Sequence, residues 1–277
     1  MLSSIKEGRV TKNKTKKSYP PTRRVSQMQP LVERTNALSI EEFTNKYMPV
    51  TTGAQTKEDA TLEVPPSLNQ TEELKSAETS LEVYSAASIS TPDLEACLDL
   101  IEQTSSDAYR ASADGWSRPK KRKEMKLPDM KYLILRDSNE DVKAVKSPTN
   151  ATRNTPKERN ETALTPQNQK QNLLGFLSFM VTYEDGKEVV YCYEIHLSPR
   201  ARGRGVGSVL MKRMEAIGRA VGLEKAMLTV FKSNGVACRF YERLGYGLDE
   251  YSPRPRRLRN GTVKEVDYMI LSKRLQN

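Results

Sequence analysis

Six residues, Arg202, Gly203, Arg204, Gly205, Val206 and Gly207, separate an apolar run, VVYCYEIHLS, from a run of helical period, SVLMKRMEAIGRAV. A strand that feeds a glycine-rich turn at a helix start leaves several backbone N–H groups without intrahelical partners. With the positive end of the helix dipole behind them, such donors form a socket for phosphate. Arg202 and Arg204 add to that field, and no acid lies inside the turn. Taken alone, the turn is either a phosphate socket or an ordinary connection. No Gly-Lys-Ser/Thr follows it, which excludes a Walker loop. The glycine spacing is not that of a dinucleotide fingerprint, and Glu224 does not end a second strand.

A second chemical signal is Glu194, a lone carboxylate in the middle of the preceding run. Burial disfavours the charged form and raises a carboxyl toward neutrality, the range of a general base. The residue types alone leave two readings open: a general base, or a buried carboxylate paired with a nearby arginine. Strict alternation along the strand puts Val189, Tyr191, Tyr193, Ile195 and Leu197 on one face and Cys192, Glu194 and His196 on the other.

The elements that must position these groups follow from periodicity and punctuation. Ser39 with Glu42 forms a capping-box pattern for a short helix over 39–47. A strand is expected at 81–86. Thr91 and Pro92 read as N-cap and first helical residue of a helix running to Arg110, with Leu94, Cys97, Leu98 and Ile101 as its stripe. Strands follow at 130–135 and 173–183, and Glu184-Asp-Gly-Lys187 has hairpin chemistry before a return strand at 189–198. A helix at 205–220 buries Val206, Leu210, Met214, Ile217 and Val221. A strand at 225–231, a helix at 234–244 and closing strands at 246–251 and 266–274 complete a mixed α/β sheet with a crossover helix.

The 277 residues are only 36% hydrophobic and 29% charged, so much of the chain is not expected to pack. Residues 1–80 read as a basic, mostly disordered extension with one short helix, and residues 81–277 as one domain with a flexible polar insertion at about 137–172. No apolar run is long enough for a membrane span, and the first residues lack the apolar core of a secretory leader. Cys97, Cys192 and Cys238 read as reduced thiols, and one histidine with three dispersed cysteines argues against a metal site. The net charge of +10 gathers at 6–24, at Pro119-Lys-Lys-Arg-Lys123 and at 254–259. The second run resembles a short nuclear-import signal, with a solvated basic surface as its plainer reading. Weak contact with nucleic acid or ribosomes is the functional reading of these segments.

The spacing RxxGxG between that strand and that helix resembles the pyrophosphate loop of the GNAT superfamily of N-acetyltransferases. The run Asn234-Gly-Val-Ala237-Cys-Arg-Phe240-Tyr241-Glu-Arg-Leu-Gly245-Tyr246 resembles its second signature. YCYEIHL at 191–197, LTVFKSN at 228–234, DYMILSKR at 267–274 and YRASADGWSRPKKRKEM at 109–125 are similar to N-terminal acetyltransferase D, a histone-specific N-alpha-acetyltransferase family, in its fungal type. The resemblance implies the GNAT fold, an α/β protein of α+β type with a central mixed, mostly antiparallel sheet flanked by helices.

The same resemblance implies acetyl transfer from acetyl-CoA, without a metal, to the N-terminal serine amine of histones four and two-A, by a monomer of nucleus and cytoplasm. It assigns Glu194 as base, Tyr193 as its catalytic neighbour and Tyr241 to the place of a tyrosine that protonates the leaving thiolate. Ile195, His196, Leu197, Arg202, Gly203, Arg204, Gly205, Val206, Gly207, Ser208 and Asn234 fall to the cofactor. Tyr109, Trp116, Thr182, Glu184, Tyr193, Thr229 and Tyr268 fall to the peptide, although for the tyrosines half-buried packing is an equal reading of the residues alone. Thr182 stands where that family usually has an acid. An acidic edge of Glu184, Asp185, Glu188, Glu194, Asp249, Glu250 and Asp267 would suit a basic tail. Two rivals remain open: transfer to a lysine side chain or small amine, and a non-catalytic nucleic-acid-binding or scaffold protein on a degenerate fold of the same kind.

Overall fold

The computed structural model describes residues 29–48, 79–113, 115–137 and 173–276. The expected basic tail up to residue 28, the linker at 49–78 and the insertion at 138–172 lie outside the described residues. In chain order the elements are α1 (Leu31–Asn36), α2 (Ile40–Tyr47), β1 (Thr79–Ser85), α3 (Thr91–Arg110), α4 (Arg118–Met125), β2 (Lys131–Asp137), β3 (Leu173–Glu184) and β4 (Lys187–Leu197). Then come α5 (Val206–Val221), β5 (Lys225–Phe231), α6 (Gly235–Arg243), β6 (Gly247–Leu248), β7 (Arg256–Arg257), β8 (Val263–Lys264) and β9 (Tyr268–Arg274).

Seven strands form one sheet in the order β1-β2-β3-β4-β5-β9-β6, and β7 and β8 make a separate small hairpin. Every pair in the large sheet is antiparallel except β4 with β5, which α5 joins as a crossover. One face of the sheet packs against α5, α1 and α2, where Phe43, Leu133, Phe179, Leu210, Met214 and Tyr241 share a core. The other face packs against α3 and α4 through Leu98, Ile101, Tyr109, Met125, Tyr132 and Phe176.

The local codes explain most of these elements. Ser39 and Glu42 close the capping box of α2 reciprocally, and Phe43 and Tyr47 on its inner face are buried. The cap of α3 is Ser90, one residue ahead of the expected Thr91, with its hydroxyl accepting from the Asp93 N–H. The turn between β3 and β4 needs positive φ at two successive residues, and Asp185 at 48° and Gly186 at 81° supply it. The closing strand expected at 246–251 shrinks to Gly247–Leu248.

Two helices were not expected from the sequence. The six-residue α1 packs Val32 into the sheet core. The second, α4, is spelled RPKKRKEM and has almost no apolar face. It is held by charge: Arg118 reaches Glu95 (3.0 Å), Asp99 (2.6 Å) and Glu102 on α3, and Arg122 reaches Glu95 at 2.6 and 2.7 Å. The run read as an import signal or solvated patch forms a helix in which Pro119, Lys120 and Lys123 stay exposed, while Lys121 is turned inward and only 5% exposed.

The expected strict alternation along β4 is also corrected. Ser178 pairs with Glu194 but Phe179 pairs with Cys192, so Tyr193 is an extra residue, a β-bulge. A bulge shifts the phase of the side chains by one. Cys192 and Ile195 consequently lie in the α5-side core, while Glu194 and His196 turn toward α3. Close to the bulge, β3 approaches β4 so tightly that a Cβ on Gly175 would sit 2.5 Å from Leu197 Cδ2 and 2.7 Å from the His196 carbonyl oxygen. Gly175→Ala is expected to lower stability by about 1–3 kcal/mol through that overpacking, measured as a drop in Tm with a retained circular-dichroism spectrum.

Candidate active site

Beyond Cys192 and Leu228 the pairing of β4 with β5 stops, and β4 continues to Leu197 without a ladder partner on that side. Strands that diverge in this way leave backbone donors and acceptors available for an extended ligand. Directly after β4 a short 3-10 turn, Pro199–Ala201, leads into the glycine loop. Gly203 (φ 74°) and Gly205 (φ 76°) adopt left-handed conformations that L side chains rarely take, and a Cβ at either would meet nothing within 4 Å. The N-terminus of α5 has no side-chain cap and no acid in its first turn. Arg202 to Ser208 thus form an open cradle at a helix N-terminus that fits a pyrophosphate, and among the described residues no group of His, Cys, Asp or Glu could hold a metal.

Asn234 caps α6, its side-chain oxygen accepting from the Ala237 N–H at 3.1 Å. Part of its role is hence structural, and the cap uses its side-chain oxygen rather than its amide N–H groups. Tyr241 is fully buried on the α5 side of the sheet, ring to ring with Phe240 and Tyr246. Burial, with Cys192 and Glu194 nearby, pushes its hydroxyl well above the usual tyrosine value, so it keeps its proton.

On the opposite face Tyr109, Trp116, Tyr193 and Tyr268 converge on one cluster. Trp116 leans on Tyr109 at 5.5 Å between centroids and donates its indole N–H to Glu102 at 3.1 Å. Phe231 meets Tyr109 edge-on at 5.6 Å. A groove of about 450 Å³ opens beside them, with Ala108 of α3 and Ser112 just after it on one wall and Phe231, Glu265 and Asp267 on the other. Thr229 is bonded to the Tyr191 hydroxyl. Thr182 and Glu184 lie at the β3–β4 hairpin, opposite Val189 and Lys187, and burial together with the Glu184 charge pushes the Tyr193 hydroxyl up to about 12.

Glu194 is 1% exposed and engages three partners. Oε1 accepts from Tyr109 Oη at 2.8 Å and from Lys121 Nζ at 2.9 Å, and Oε2 meets His196 Nε2 at 2.6 Å. Lys121 also donates to Tyr109 Oη (2.9 Å) and to both oxygens of Glu124 (3.0 and 3.1 Å). His196 Nδ1 lies 2.6 Å from Thr104 Oγ1, and the ring stacks on Phe176. Burial lowers the pKa of His196. In a neutral ring Nε2 donates to Glu194, and Thr104 shares its one hydroxyl proton between Nδ1 and the Leu100 carbonyl at 2.7 Å, a tautomer assigned from the network.

The expectation that burial raises Glu194 is overturned by this surrounding. Burial does push the carboxyl up, but the Lys121 ammonium and the His196 hydrogen bond outweigh it and hold Glu194 well below the usual carboxylate range. Lys121, not an arginine, is the paired cation; burial opposes its charge, yet Glu194 and Glu124 keep its pKa above the ordinary ammonium value. The carboxyl that rises is Glu124: burial takes it up to about 7, with Lys121 pulling down and Glu194 adding to the rise.

Other expectations change with the geometry. His196 directs its side chain into the Glu194 network, leaving only its backbone on the cofactor side. The acidic edge is thinner than the sequence implied, because Glu194 is enclosed and Asp249 is buried against Lys225 at 2.6 Å. Lys121, Glu124 and Thr104 were missed. The one available signal was Glu124 ending a basic run three residues after Lys121, which puts both on one side of a helical turn.

Residues 130–246 match the acetyltransferase (GNAT) family. The chain carries a GNAT acetyltransferase domain, and the seven-stranded mixed sheet flanked by helices is the GNAT fold. Among curated proteins it is similar to N-alpha-acetyltransferase 40 of Saccharomyces cerevisiae, 34% identical over 98 residues. That match covers 29% of this chain and spans only 34% of the relative's length. Among solved structures it is similar to the ribosomal-protein-S18-alanine N-acetyltransferase from Escherichia coli, at 16% identity and a TM-score of 0.42, covering 72% of this chain and 96% of that one. A further likeness is to the PaiA N-acetyltransferase from Thermoplasma acidophilum in complex with coenzyme A, at 15% identity and a TM-score of 0.41, covering 70% and 99%. No helix among the described residues is long and apolar enough to cross a membrane.

Removing the cation from this site has a signed consequence. Lys121→Met strands Glu194 without its partner and is expected to cost about 3–5 kcal/mol in urea unfolding at neutral pH. Because Lys121 depresses the folded pKa of Glu194, its stabilisation is present above the ordinary carboxylate value and is lost as pH falls through the folded one. The deficit of Lys121→Met should therefore narrow toward acid pH.

Proposed function

We propose that this protein is an acetyl-CoA-dependent N-alpha-acetyltransferase whose acceptor is the N-terminal serine amine of histones four and two-A. The observation that carries the transferase reading is the break between β4 and β5, with the open glycine cradle at one end and the Glu194–Tyr109–Tyr193 cluster beside it. The acceptor class rests on the strings shared with N-terminal acetyltransferase D and on the likeness to N-alpha-acetyltransferase 40.

In this reading Arg202 to Ser208 hold the pyrophosphate through N–H groups, and the backbone of Ile195 and Leu197 pairs with the pantetheine arm. Asn234 bonds the arm near its thiol. Tyr109, Trp116, Tyr193 and Tyr268 enclose the N-terminal residue, and Thr229 borders the slot from β5. Glu184 at the hairpin and Asp267 at the groove meet the arginine of the tail. An α-amine has a pKa near 8 and attacks only when neutral. Glu194 takes its proton through Tyr109 or a water, since the carboxylate itself is enclosed. The free amine then attacks the thioester carbonyl, the C–S bond breaks, Tyr241 gives its proton to the thiolate, and the amine's second proton restores Tyr241.

Two measurements test this. Purified protein with acetyl-CoA should acetylate a Ser-Gly-Arg-Gly peptide with a free N-terminus and leave the same peptide untouched when its N-terminus is blocked. Transfer to a lysine of the blocked peptide would overturn the α-amine assignment. Glu184→Gln should raise the KM for the free peptide about tenfold, the loss of one charge-assisted hydrogen bond, with kcat little changed. An unchanged KM removes Glu184 from recognition.

A further inference from the structure

Resting on the reading of Glu194 as the base, we infer that Glu124 is where the substrate's proton is held before it enters solvent, with Lys121 as the relay. Glu124 touches no substrate atom and acts through Lys121. The inference stands on a continuous path of hydrogen bonds. Tyr109 Oη to Glu194 Oε1 is 2.8 Å, Lys121 Nζ is 2.9 Å from each of them, and Lys121 to the Glu124 oxygens is 3.0 and 3.1 Å.

The two ends of the network differ in what they can do with a proton. One end runs from Glu194 through His196 to Thr104, whose hydroxyl lies 2.7 Å from the Leu100 carbonyl of its own helix. A peptide carbonyl does not take up a proton, and His196 is 3% exposed, so that end is closed. At the other end Glu124 retains 14% of its side-chain surface, against 1% for Glu194 and 5% for Lys121. Among the described residues, the network opens to solvent at Glu124.

Charge counting agrees. Lys121 bridges two carboxylates, so with His196 neutral the hydrogen-bonded groups sum to one negative charge and have room for one proton, with Lys120 nearby as a further cation. The groups facing Glu124 are Lys120 and Lys121 on α4, Glu194 and Tyr193 on β4, and Tyr132 on β2, with Tyr109 of α3 joined through Lys121. Among these the less enclosed carboxylate is the one to titrate, and burial takes it up to about 7.

The step balances. The substrate ammonium gives one proton to the Tyr109–Glu194 pair, Lys121 passes one to Glu124 and regains one from that pair, and Glu124 ends as the neutral acid. The amine nitrogen then bonds the acetyl carbon, its second proton goes by way of Tyr241 to the departing sulfur, and Glu124 releases its proton to water.

The test uses the full chain, with acetyl-CoA and the free Ser-Gly-Arg-Gly peptide, across neutral pH. Wild type should gain kcat/KM with rising pH as Glu124 ionises, with an inflection near 7. Glu124→Gln should lose that inflection, lose about 100-fold in kcat, keep its KM, and recover turnover when imidazole is added as an external proton acceptor. Retention of the inflection in Glu124→Gln, or a uniform loss of kcat that imidazole does not restore, overturns the proposal in favour of a structural role. Carboxyl carbon-13 NMR of the free wild-type protein adds an arm independent of the variant: Glu124 should titrate near 7, and titration in the ordinary carboxylate range overturns the assignment. Absence of wild-type turnover with this peptide would instead sink the proposed acceptor, leaving the NMR arm to decide on Glu124.

Discussion

Tyr193, the residue of β4 that β3 leaves unpaired, is the constraint on which the rest of the site depends. Without it, period-two alternation would put Glu194 on the same face as Cys192, inside the apolar core under α5. With it, Cys192 and Ile195 both point into that core, and Glu194 turns toward α3 and α4 where donors await it. The pairing of β4 with β5 also ends at Cys192, just before the bulge, so the increased local twist and the separation of the strands coincide. One inserted residue thus sets the face of the carboxylate and lies beside the opening through which a second chain-like molecule can pair.

A carboxylate so enclosed has to be compensated, and this requirement explains α4. Its sequence has little to bury, so packing alone would not hold it to the domain. The ion pairs of Arg118 and Arg122 with Glu95, Asp99 and Glu102 fix it along α3, and that alignment delivers Lys121 to Glu194. The outer pairs are about one-third exposed and each is weak by itself. Their value is positional, because a shared guanidinium across successive turns of α3 leaves α4 one register in which Lys121 points inward.

The fold was largely legible because its elements obey local codes. Ser39 with Glu42, the Glu184–Lys187 turn, and the apolar stripe from Val206 to Val221 each announce an element by chemistry within a few residues. What could not be read was set by distant partners. The bulge at Tyr193 exists only relative to the register of β3, so a single-strand pattern has no means of marking it. Lys121 was read as part of a solvated charge run because nothing near it in sequence is apolar; its burial is dictated by Glu194, 73 positions away. The same separation reversed the expected shift of Glu194, since burial was visible in the string and the cation was not. The glycine cradle was legible for the opposite reason, being contiguous and made of backbone.

The two sides of the sheet divide the chemical labour along these lines. The cradle and the splayed strand work through backbone dipoles, whose charge does not change with pH, and so suit a group that must be held regardless of protonation state. The α3–α4 side works through titratable side chains gathered where water is scarce, and so suits a group that must change its protonation state. Tyr241 lies on the first side and is held protonated by burial, whereas Glu124 lies on the second and is poised near neutrality. In the proposed reaction the proton donor Tyr241 and the proton acceptor Glu124 are thereby kept on opposite faces of the sheet.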